Sequence, residues 1–209
     1  MAEKTNKKKS YYIKVILLGD QGTGKTNLIN VYFDKPFKPD EEPTIMPTQS
    51  FESYDLNNNK YNITFWDTMG QEKYRSLAKT YIKGSNIIIF VYDIARRETF
   101  LELNYWLNDV IQELENEELI FGVAANKIDL FDKAEINKEE GENYAKTINA
   151  LFCETSAKDN PKGFKAFVKK LLDKLYSNET IMKKIEEINE NDDSFHLEKT
   201  TKRKKKKCC

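Results

Sequence analysis

The chain has 209 residues, 39% of them hydrophobic with twelve Phe and eleven Tyr, which allows one domain with a sizeable core plus a tail. Its 34 basic and 34 acidic residues cancel, although Lys202 to Lys207 is an unbroken basic run; no nucleic-acid partner is expected. No apolar segment approaches the roughly 20 residues that span a bilayer. The N-terminus lacks the apolar core and cleavage site of a secretory signal. Three cysteines, two of them the last residues, make no disulfide framework, so a reducing compartment is expected.

Residues 1–9 are polar and are expected to be a flexible N-terminus. The apolar run from Tyr11 to Leu18 predicts a buried strand. Gly19-Asp20-Gln21-Gly22-Thr23-Gly24-Lys25-Thr26 follows, and then Leu28, Ile29 and Tyr32 recur at helical spacing to about Phe33. Strand, Gly-rich turn and helix in this order make a P-loop. Its glycines let backbone N–H groups turn inward on a polyphosphate, and the helix adds its positive end. Lys25 would reach the outer phosphates and the Thr26 hydroxyl would ligate Mg²⁺. Residues 34–48 are Pro-rich and aperiodic, a long loop beside a phosphate site. Strands near Gln49 to Leu56 and Lys60 to Trp66, joined at Asn57-Asn58-Asn59, predict an antiparallel hairpin, with Pro47 at a strand start. Asn86 to Tyr92 reads as a central parallel strand. Phe100, Leu103, Leu107, Val110, Ile111 and Leu114 mark an amphipathic helix. A strand at Leu119 to Ala125, a helix at Glu139 to Asn149, a short strand at Leu151 to Glu154 and a helix through Phe164, Phe167, Val168, Leu171, Leu172 and Leu175 complete an α/β pattern with a mostly parallel sheet.

Ligands on such sheets bind at the carboxyl ends of strands, and each remaining motif falls at one. Asp67-Thr68-Met69-Gly70-Gln71 follows the third strand. Asp67 can hold Mg²⁺ through water, the Gly70 amide can meet a terminal phosphate, and Gln71 can orient an attacking water. Asn126-Lys127-Ile128-Asp129 follows the fifth strand. The Asp129 carboxylate can accept from N1 and N2 of guanine, a donor pair that adenine lacks. Lys127 can lay its stem on the base and Asn126 can tie the loops together. Ser156-Ala157-Lys158 follows the last strand, where the Ala157 amide could donate to guanine O6.

The set GDQGTGKT, WDTMGQEKYRSL, NKID and ETSAK, in this order, resembles the Ras superfamily of small GTPases from about Tyr11 to Tyr176. Lys73 through Leu77, Tyr81-Ile82-Lys83-Gly84 and the final Cys208-Cys209 are most similar to its Rab branch. The resemblance implies the small G-protein form of the P-loop NTPase fold: three layers around a six-stranded, mostly parallel sheet with one antiparallel edge strand. It implies binding of GTP and GDP with Mg²⁺ at Gln21 to Thr26, Phe37, Thr44, Asp67, Gly70, Asn126, Lys127, Asp129 and Ser156 to Lys158. By position after Lys25, Thr44 suits the threonine that completes the Mg²⁺ shell. Phe37 suits the aromatic that packs on guanine, and reads equally as an anchor for a Pro-rich loop. Gln71 matches the catalytic glutamine. Thr44 and Gly70 can hold the terminal phosphate only while it is present, so its loss relaxes both loops. Intrinsic hydrolysis is expected to be slow, with a GTPase-activating protein helping in trans, an exchange factor reopening the site, and effectors reading the GTP form in vesicle traffic.

Gln21, Met69, Met46 and Gln49 depart from the Rab pattern. The first two bear on hydrolysis, so the alternative is a membrane scaffold that binds GTP and barely turns it over. A P-loop kinase would need an Arg-rich lid, and the chain has only Arg75, Arg96, Arg97 and Arg203. The domain is expected over 10–176, with 177–209 a flexible tail in which a short helix fits near Met182 to Ile188. Cys208 and Cys209 resemble the doubly prenylated Rab end. Two lipids beside a basic run would hold a monomer on the cytoplasmic face of an intracellular, anionic membrane, with an escort protein carrying it through the cytosol.

Overall fold

The computed structural model describes residues 9–56, 58–70, 80–114 and 118–188. Six strands form one sheet in the order β2-β3-β1-β4-β5-β6: β1 (Ser10–Leu18), β2 (Thr48–Leu56), β3 (Asn59–Asp67), β4 (Ile87–Asp93), β5 (Ile120–Asn126) and β6 (Leu151–Glu154). Only β2 runs antiparallel, in register with β3 from Thr48 opposite Asp67 to Leu56 opposite Asn59. The expected hairpin is therefore present, and Pro47 sits just ahead of the edge strand, where no ladder bond is asked of it.

Strand alternation sorts the core into two layers. Ile87, Ile89 and Val91 of β4 face one side and join Val15, Leu17, Ile63 and Phe65. Covering them are α1 (Lys25–Tyr32), through Leu28 and Ile29, and the last long helix, Pro161–Tyr176, through Phe164, Phe167, Val168 and Leu171. Ile88, Phe90 and Tyr92 face the other side and meet Leu103, Trp106 and Val110 of the helix Leu103–Glu113 and Ala145 of the helix Lys138–Thr147. All seven residues of β4 are buried, which is why that run reads as continuously apolar. In chain order the helices are α1, α2 (Arg97–Leu101), α3 (Leu103–Glu113), α4 (Lys138–Thr147) and α5 (Pro161–Tyr176). Asn137 caps α4 by accepting from the Glu140 amide, while the Glu140 carboxylate takes the Asn137 amide. Asn160 and Pro161 start α5 in the same economical way.

The packed unit continues past Tyr176, where the sequence reading ends the domain. Residues 179–188 form a further helix. Its Ile181 and Ile185 are each 3% exposed and join the first core layer. Glu186 accepts from the Tyr11 hydroxyl at 2.7 Å and pairs with Lys9. This helix contains the short one expected near Met182 to Ile188. Of the flexible segments expected at 1–9 and 177–209, residues 1–8 and 189–209, with the polybasic run, Cys208 and Cys209, lie outside the described residues, as do Gln71 and Lys73 to Leu77. No described helix is long and apolar enough to cross a membrane.

Candidate functional site

The carboxyl ends of β1, β3, β5 and β6 open into one cavity of about 700 Å³. Gln21, Gly22, Gly24, Lys25, Thr26, Phe37, Thr44, Gly70, Asn126, Lys127, Asp129, Ala157 and Lys158 all line it. The sequence motifs, scattered over more than 130 positions, are thus brought to one place by the parallel strand order.

The phosphate end is built by the turn between β1 and α1. Gly24 has φ +93, and a Cβ on it would come within 2.4 Å of the Asn126 amide nitrogen. Only glycine fits there, because both the backbone angle and the neighbouring loop exclude a side chain. Lys25 is 5% exposed and donates from Nζ to the carbonyls of Gly19 at 2.7 Å and Asp20 at 2.9 Å. An ammonium has three donors, so a third remains for an anion. Burial lowers Lys25 to about 8, Asp67 and Asp20 oppose the fall, and Arg96 adds to it. A phosphate beside it would restore the charge.

Three oxygen atoms converge next to Lys25. Thr26 Oγ1 donates to Asp67 Oδ2 at 2.7 Å, Thr44 Oγ1 lies 3.3 Å from the same oxygen, and the two hydroxyls are 3.0 Å apart. Asp67 is 3% exposed, and among the described residues no donor reaches its buried Oδ1. Burial raises its carboxyl group above the usual range, while Thr26, Lys25 and Thr44 pull it back. An orphaned carboxylate oxygen beside two hydroxyls is a donor set suited to a hard cation such as Mg²⁺, so the residues present fit that ion.

At the far end, Ser156, fully buried, donates to Asp129 Oδ1 at 2.5 Å and accepts from the amides of Lys158 and Asp159. Ser156 thus fixes the carboxylate's rotamer, leaving its other oxygen for a ligand. Asn126, 1% exposed, donates from Nδ2 to the Thr23 carbonyl at 2.8 Å and ties this loop to the P-loop. Lys127 adopts φ +66 and sends its ammonium to Asp93 Oδ2 at 2.8 Å, so its stem borders the cavity. Phe37 lines the cavity and also packs on the core, a position compatible with either of its readings.

Several contributors were not singled out from the sequence. Asn27 donates to the Lys38 carbonyl at 2.8 Å and accepts from the Lys38 amide at 3.0 Å, holding the loop of Phe37 to α1. Asp93 and Arg96 brace the loops from behind the cavity. A polar side chain whose partners are backbone atoms in another loop carries no local sequence signal, apart from the charge of an Asp at a strand end. Met69, a departure from the Rab pattern next to Gly70, is 3% exposed and is not among the residues lining the cavity. Gln21 is exposed at the cavity rim.

A family model described as Ras family matches residues 14–177. The human Ras-related protein Rab-22A is 37% identical over 147 residues, covering 70% of this chain and 75% of that protein. Its mouse and dog counterparts, under the same name, match at the same identity and coverage.

Proposed function

The chain belongs to the Ras family of small GTPases, in its Rab branch, and from that membership we propose how its own residues run the cycle. As a Rab-type GTPase it binds GTP and GDP with Mg²⁺, hydrolyses GTP, and works in membrane trafficking through exchange factors, activating proteins and effectors. Our assignment of roles rests chiefly on one observation: Lys25, Thr26 and Thr44 line the same cavity as Asp129, and both hydroxyls meet the buried Asp67 carboxylate just behind its wall. That cavity matches a molecule with a polyphosphate at one end and a purine at the other.

In this reading the inward amides of Gln21 to Lys25 and the Lys25 ammonium hold the phosphates, and the oxygens of Thr26, Thr44 and Asp67 face the metal. Bound Mg²⁺ would offset charge on the outer phosphate oxygens. Asp129 accepts from the two guanine donors, Ser156 orients it, the Ala157 amide takes O6, and the Lys127 stem and Phe37 cover the base. Gln71 orients the attacking water, a role that its place directly after Gly70 supports. Met69 is buried and is not among the residues lining the cavity, which supports hydrolysis proceeding. Cys208 and Cys209 carry the prenyl groups that hold a monomeric chain to a cytoplasmic membrane face, with an escort protein for the soluble phase.

The test is nucleotide exchange followed by single-turnover hydrolysis. Purified protein should retain GDP, exchange it for GTP and hydrolyse it. Asp129→Ala should lose the preference for guanine over adenine, and Gln71→Leu should bind GTP but not hydrolyse it. Unchanged base preference in Asp129→Ala refutes the site assignment.

A further inference from the structure

A cationic side chain sits behind the P-loop, outside the cavity, and no step of the nucleotide cycle above uses it. Arg96, at the turn after β4, donates from Nη2 to the Gln21 carbonyl at 2.7 Å and from Nε to Asp93 Oδ2 at 3.2 Å. Asp93 is 3% exposed and also holds the Lys127 ammonium at 2.8 Å. Its second oxygen accepts from the Ala95 amide at 3.0 Å, so the carboxylate is fixed before either cation arrives.

We propose that Arg96 is a positioning residue that sets the lifetime of bound nucleotide, by holding the Gln21 carbonyl outward and so aiming the Gly22 amide into the phosphate site. Peptide planarity couples the two groups. In a trans peptide the C=O and the next N–H point in opposite directions. Arg96 does not line the cavity, whereas Gln21 and Gly22 do. A Gln21 carbonyl held by Arg96 therefore leaves the Gly22 N–H facing inward. Gly22 has φ +74 and no Cβ, so without a clamp this peptide can rotate with little steric resistance. An inverted peptide would present an oxygen to the phosphates instead of a donor. The guanidinium suits the task because its planar fork serves two acceptors at fixed angles. Through Asp93 the same clamp reaches Lys127, so the phosphate and base loops lean on one buried carboxylate.

The inference rests on the cavity taking a guanine nucleotide, and the experiment separates the two. Dissociation of a fluorescent GDP is measured with saturating Mg²⁺ for the full chain, Arg96→Ala, Arg96→Lys and the neighbouring control Arg97→Ala. Arg97 pairs with Glu140 on the surface and does not contact the P-loop. A bond from a charged donor at a partly exposed site corresponds to about a tenfold change. Arg96→Ala should release GDP about ten times faster and keep the same preference for GDP over the inosine diphosphate, because Asp129 is untouched. Arg96→Lys, which keeps the charge but lacks the fork, should fall between parent and Arg96→Ala, and it carries the test should Arg96→Ala not fold. Arg97→Ala should match the parent. Release from Arg96→Ala or Arg96→Lys at the parental rate, or a loss of base preference in step with faster release, overturns the proposal. A parent chain that holds no GDP overturns the site reading itself, and the proposal with it.

Discussion

Gly70 offers the sharpest perturbation of the switch. A Cβ built on it would lie 2.5 Å from both the Asp20 carbonyl carbon and the Gln21 nitrogen, and 2.6 Å from the Asp20 oxygen. That is about 0.9 Å inside ordinary contact, and every atom met is backbone, which no rotamer change can relieve. Gly70→Ala must therefore push the loop after β3 away from the P-loop. Overpacking of this kind costs roughly 1–3 kcal/mol. The cost falls on the closed arrangement in which Gly70 meets a terminal phosphate, and less on a GDP form whose loop has relaxed. At about 2 kcal/mol the preference for a non-hydrolysable GTP analogue over GDP should fall roughly thirtyfold. Competition of each nucleotide against a fluorescent one reads this ratio directly. A ratio unchanged within twofold, or equal weakening of both nucleotides, would refute the claim that this contact belongs to the GTP form.

Thr26→Ala removes the hydroxyl that meets Asp67 at 2.7 Å, so chelating Mg²⁺ should no longer speed GDP release by tenfold or more; retained Mg²⁺ sensitivity would count against Thr26 as a ligand. Ile185→Ala empties a site that is 3% exposed and should cost at least ~2 kcal/mol in a urea titration. A change under ~0.5 kcal/mol would mean the helix over 179–188 adds little to the core. Burial raises the phenols of Tyr32, Tyr54, Tyr92 and Tyr176. The folded chain then keeps protons that the unfolded chain gives up near pH ~10, so stability is whole below that pH and falls as pH climbs above it. Phenolate absorbance should show these four ionising only as the fold opens; early, reversible ionisation of all the tyrosines would contradict their burial.

The four nucleotide motifs were legible because each is a short contiguous segment at a strand's end, where chemistry and topology coincide. The central place of β4 was legible from its apolar run, and the antiparallel pairing of β2 with β3 from the hairpin residues. What escaped lies between distant segments. Arg96 meets Gln21 across 75 positions, and Asn27 meets Lys38 across 11, with nothing near either residue to announce the bond. The helix over 179–188 was hard to read as packed because Ile181, Met182 and Ile185 are interspersed with Lys183, Lys184, Glu186 and Glu187. Three apolar groups on one stripe suffice when a sheet face stands uncovered beside them. Met69 shows the reverse limit: its place between Thr68 and Gly70, which line the cavity, does not say that it lies buried without lining it.

The contact of Glu186 with Tyr11 and Lys9 has a geometric consequence. It roots the C-terminal segment at the start of β1, whereas the cavity opens at that strand's other end, ~27 Å away. With lipid on Cys208 and Cys209, as proposed, the remaining stretch after residue 188 can pay out to roughly 70 Å at most. The tether would then leave the domain at the end opposite the nucleotide mouth, so binding partners could approach that mouth without meeting the anchor.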